Sequence, residues 1–118
     1  LLTPGWESLI GKPLVEVVAQ QWETMTRLLL DDLQTLPKER VVVARYDALT
    51  AEPAAEIARI CQAIEVEWDR PISGQLPIAR HTISQPAPDK WKRHADLIEP
   101  QLERLRPTIL RAEKFAAR

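Results

Sequence analysis

Residues 84–95 read Ser-Gln-Pro-Ala-Pro-Asp-Lys-Trp-Lys-Arg-His-Ala. Two prolines stiffen the stretch, and a tryptophan then stands among the cations Lys90, Lys92 and Arg93. An ammonium is a compact point charge suited to a phosphate oxygen, and an indole is a flat apolar surface. The stretch therefore fits one wall of a site for a planar, anionic ligand. It equally fits a helix start pinned to a core by Trp91, and both readings stand at this point.

Other chemistries lack their residues. There is no Gly-x-x-x-x-Gly-Lys-Ser/Thr phosphate loop, no Gly-x-Gly-x-x-Gly and no His-Glu-x-x-His. His81 and His94 fall on different segments, so no metal site is expected. Ser84 stands three residues from His81, but no carboxylate is marked to orient the base, and no catalytic residue is assigned. The one cysteine, Cys61, cannot form an internal disulfide and falls on an apolar helix face, which predicts a buried structural thiol.

The net charge of −1 conceals an uneven distribution. Residues 1–69 hold 6 basic against 12 acidic side chains, and residues 70–118 hold 10 against 5. An anion-binding surface therefore belongs in the second half, unless the two charge sets are only solvated faces. That half has just Trp91 and Phe115 as aromatics, and the whole chain has pI near 6.2, which argues against a nucleic-acid partner. The longest apolar runs are too short to cross a bilayer and no basic-plus-apolar leader is present, so a soluble, cytoplasmic chain is expected.

Placing these residues requires the elements. Pro4, Gly5, Gly11 and Pro13 mark an opening loop. Leu14, Val17, Val18, Trp22, Met25, Leu28, Leu29 and Leu33 recur at helical spacing and predict a helix over 14–36, ended by Pro37. The run Val41-Val42-Val43 predicts a strand buried on both faces. Pro53 opens a second helix carrying Ile57, Ile60, Cys61 and Ile64. Residues 66–88 form a long irregular connection, and a last helix over about 90–117 is expected to break or kink at Pro100 and Pro107. One strand cannot make a sheet, and the chain begins at Leu1 rather than Met, so the expectation is a single domain, residues 1–118, that forms the C-terminal part of a larger α/β fold.

At Val41–Asp69, "VVVARYDALTAEPAAEIARICQAIEVEWD", the chain resembles the sulfotransferase family that includes bacterial and tyrosylprotein sulfotransferases. There a strand ending in Arg/His-Tyr-acidic-x-Leu leads into a Pro-led helix. The stretch "RHTISQPAPDKWKRHADLIEPQLERL" resembles the family's C-terminal segment, a polar Ser/Thr run, a proline and a Lys-Trp opening the last helices. The two stretches in this order, with the tryptophan-bearing helix before them, extend the resemblance from about residue 14 to 112.

The resemblance implies a parent α/β fold, a parallel sheet flanked by helices, with this chain mostly helical and holding one or two short strands. It implies transfer of a sulfuryl group from 3′-phosphoadenosine 5′-phosphosulfate to a hydroxyl or amine of a small-molecule, carbohydrate or lipid acceptor, without a metal. The family's phosphosulfate loop and its usual catalytic base match nothing here, so the chain alone is expected to be inactive. By the resemblance, Tyr46 lies by the adenosine of the donor, Thr82 and Ser84 approach the phosphosulfate, Lys90 contacts the donor and Trp91 fixes the loop. Arg80 matches a basic position loosely. The loop between Pro86 and Trp91 is shorter than in the tyrosylprotein enzymes, which loosens the alignment of 82–86. The other reading is a non-catalytic helical interaction domain, with the apolar helix 14–36 as a partner or homo-oligomer surface.

Overall fold

The apolar repeat that begins after Pro13 folds as α1 (Leu14–Gln34) in the computed structural model, which describes residues 2–70, 72, 87 and 89–117. Before it, Gly5 and Gly11 take φ of 76° and 79°, a left-handed conformation that costs a residue with a Cβ. They bracket a 3-10 turn at Trp6–Leu9, whose Leu9 is buried. Two further helices follow, α2 (Tyr46–Ala51) and α3 (Pro53–Ala63), the latter with Pro53 in its first turn. A 3-10 turn at Lys90–His94 then leads into α4 (Ala95–Ala116).

The chain divides into two compact units. The first joins residues 1–35 and 86–118, and the second is Leu36–Gln85. In the first, α1 packs along α4 in parallel: Glu23 pairs with Arg104 at 2.7 Å and, farther along both helices, Asp31 with Arg111 at 2.6 Å. Its core is small. Among the described residues Leu9, Ala19, Leu30, Leu105 and Phe115 are the buried apolar side chains. Burying a Leu or Phe fully is worth about 1.5–3 kcal/mol each, so this interface carries much of the unit's stability.

Two expectations need correction. The segment is extended at both ends, with φ −127° and ψ 120° at Val41 and φ −97° and ψ 124° at Arg45, but no strand pairing forms among the described residues, and Val41, Val42 and Val43 are half-buried rather than buried on both faces. The sequence supplies one extended segment, and a strand exists only where another backbone offers its N–H and C=O groups. The described residues are mostly helical.

The second correction concerns the break expected at Pro100 and Pro107, which neither end α4 nor divide it. Each removes one backbone hydrogen bond, to the carbonyls of Asp96 and Glu103. All four residues are exposed, so water can take the place of the missing N–H groups. The buried residues Leu105, Thr108 and Phe115 face away from this loss and hold the helix against α1.

Candidate functional site

Tyr46 stands where the extended segment turns into α2, and 71% of its surface is exposed. The corner beneath it is fixed by four charged side chains. Arg45 forks onto Asp47, Nε to Oδ1 at 3.1 Å and Nη2 to Oδ2 at 2.8 Å. Glu56, reaching from α3, accepts the Arg45 backbone N–H at 3.2 Å. Arg59, one turn on, donates to the same carboxylate through Nε at 2.9 Å and Nη2 at 2.7 Å, and through Nη2 to the Val43 carbonyl at 2.6 Å. Thr50 closes α2 from inside, its hydroxyl donating to the Tyr46 carbonyl at 2.9 Å.

These bonds shift the acids. The Arg45 guanidinium, with the Ala48 backbone N–H, lowers Asp47 to about 2. The Arg59 guanidinium, with the Arg45 backbone N–H, lowers Glu56 to about 2, and Glu56 in turn raises Arg59. Each carboxylate is hydrogen-bonded in its charged form, which favours that form. The arrangement yields a solvent-facing phenol on a backbone that cannot easily turn.

The second group of candidate residues lies in the other unit. Lys90 opens the 3-10 turn and is half-buried. Trp91 keeps 41% of its surface exposed, so it is not a core residue. Lys92 is tied to Asp89 at 2.7 Å, while Arg93 and His94 stay exposed. Beyond the turn an apolar groove of about 620 Å3 runs between α1 and α4, walled by Leu14, Val18, Trp22, Leu97 and Leu102, with His94 at one end. Thr82 and Ser84, with Arg80 and His81, lie outside the described residues. Cys61 is half-buried on α3. No helix among the described residues is long and apolar enough to cross a membrane.

Sequence reading singled out Tyr46, Lys90 and Trp91 as candidates, but not Glu56 and Arg59, which hold the Tyr46 corner. The available signal was an i, i+3 acid–base pair on a short helix, indistinguishable in sequence from an ordinary surface pair.

A family model described as the sulfotransferase family matches residues 3–70. No curated protein and no solved structure matches the chain. The matched region contains α1, the extended segment, α2, α3 and the Tyr46 corner, and it stops before Lys90.

Proposed function

Because the chain belongs to the sulfotransferase family, we propose that it forms the C-terminal part of an enzyme that moves a sulfuryl group from 3′-phosphoadenosine 5′-phosphosulfate to a hydroxyl or amine acceptor. Tyr46 carries the reading. It is an exposed aromatic ring on a corner held by charge-assisted hydrogen bonds, inside the region that matches the family. The backbone that carries the ring is held before binding, which lowers the cost of presenting it to a planar base. The nucleotide, when bound, would supply the sulfuryl group, with adenosine 3′,5′-bisphosphate as the leaving group.

The residues here fit that ligand in kind. Lys90 is a half-buried residue followed by Lys92 and Arg93, cations of the kind that stabilise a phosphate oxygen as it gains charge when its bond to sulfur breaks. Thr82 and Ser84 add neutral donors for phosphate oxygens, and Trp91 holds the turn. The acceptor is a small molecule, carbohydrate or lipid, and the reaction is cytoplasmic. The phosphosulfate loop comes from chain outside these residues, so the enzyme is the longer protein.

Calorimetry with adenosine 3′,5′-bisphosphate tests this on a chain extended upstream to include that loop. Lys90→Ala is expected to weaken binding by about 10- to 100-fold, the worth of one hydrogen bond from a charged donor. Absence of binding by the parent chain, or equal affinity in the variant, sinks the proposal.

One observation favours a second reading. Val18, Trp22, Met25 and Leu29 form an exposed stripe on α1 at intervals of four, three and four residues. That is the seam of a helix that packs on another helix. By this reading the chain is an interaction or dimerisation domain without nucleotide affinity. A tight dimer by sedimentation, with no response to the nucleotide, would favour it.

A further inference from the structure

Glu56 is the most enclosed acid of its unit, with 8% of its side chain exposed. Its partners are unusual for a surface helix. One is the backbone N–H of Arg45, eleven residues earlier, and another is Arg59, which reaches on to the carbonyl of Val43. The pair therefore grips the extended segment by two main-chain groups, one donor and one acceptor, on the two residues flanking Ala44. An i, i+3 ion pair whose guanidinium is 49% exposed adds little stability by itself. What it provides here is geometry: the Arg45 peptide leads directly into Tyr46, and turning it would swing the ring. The Arg45–Asp47 fork holds the residues on either side of the tyrosine together and leaves the approach from α3 to Glu56.

We propose that Glu56, oriented by Arg59, is a positioning residue for the Tyr46 ring, and that it sets affinity for the adenosine-bearing ligand by fixing where that ring stands. The second half of this statement rests on the reading of Tyr46 as a nucleotide contact, and the first half does not. Neither acid nor guanidinium touches the ligand in this scheme; both act through the backbone of residues 43–45.

Tyr46 is the only tyrosine in the chain, so incorporation of 3-fluorotyrosine gives one fluorine signal from the corner. The experiment compares this signal in the full chain, in Glu56→Gln and in Arg59→Lys, without ligand and well below the melting transition followed by circular dichroism. The expected result is a signal that shifts or splits in Glu56→Gln and moves in the same direction, less far, in Arg59→Lys. A lowered melting temperature with the folded-state signal unmoved is the mark of a merely structural pair and overturns the proposal. Should Glu56→Gln fail to fold, Arg59→Lys, which keeps the charge and loses the fork, decides by the same criterion.

The same samples, in the chain extended upstream, are then titrated with adenosine 3′,5′-bisphosphate. Affinity is expected to fall about tenfold in Glu56→Gln, the scale of one charge-assisted hydrogen bond. Equal affinities overturn the link between the pair and the ligand. A parent chain whose signal ignores the nucleotide overturns the donor reading, and the ligand-free comparison still decides the positioning role.

Discussion

Asp47 and Glu56 both ionise near 2, against ordinary values of 3.8 and 4.5. The unfolded chain therefore binds protons at these two sites at a pH where the folded chain does not. Folding gains stability from them above the ordinary values and loses it as pH falls from about 4.5 toward 2. Thermal melts across that interval are expected to show a falling transition temperature, with a flatter acid limb in Glu56→Gln; a slope identical to the parent's would contradict the assignment. Residue by residue, the sequence offers candidates where identity alone carries meaning: one tyrosine at the end of an apolar run, one Lys-Trp pair in a basic turn. Glu56 escaped because its partner Arg45 is brought near only by the turn through α2, and no spacing rule encodes that.

The helices α1 and α3 were legible for a different reason, as periodicity and proline placement are local properties, whereas α2 was expected as the end of a strand. Leu14–Gln34 and Pro53–Ala63 follow the expected spans closely. The strand was not legible, since pairing is a property of two segments and the sequence reading had one. One element end departs from its usual chemistry. After α3 the Val66 N–H returns to the Cys61 carbonyl at 2.9 Å and the Glu65 N–H to that of Gln62 at 3.3 Å, a Schellman closure in which Glu65 takes φ 56°. A side chain in that conformation costs about 1–2 kcal/mol, which glycine avoids. Glu65→Gly is therefore expected to stabilise the unit by about 1 kcal/mol in urea unfolding; a loss of stability would show that the Glu65 side chain makes a compensating contact.

Across the whole molecule the balance of surface is uneven. The small core of the first unit leaves Val18, Trp22, Met25 and Leu29 exposed on α1, Leu29 by 56%. Contiguous apolar surface of this kind is covered in a working protein by something, whether the rest of a parallel-sheet domain or a second helix. The chain of residues 1–118 on its own is expected to self-associate in sedimentation velocity, and Leu29→Lys to shift it toward monomer. A parent chain that stays monomeric at high concentration would remove the support for a helix partner.

The parallel course of α1 and α4 also bears on how the chain folds. The bonds that join them, Arg104 to Gln20 and Glu23, Thr108 to Glu23 and Arg111 to Asp31, span 80 to 85 positions of sequence. The corner around Tyr46 is closed by bonds spanning 2 to 16. Contacts between distant positions wait on loop closure, and local ones do not. The Tyr46 corner should thus assemble first, as a small prefolded knot in the connector, while the two long helices meet last. A partner that binds the apolar face of α1 during synthesis would find it still unclaimed by α4.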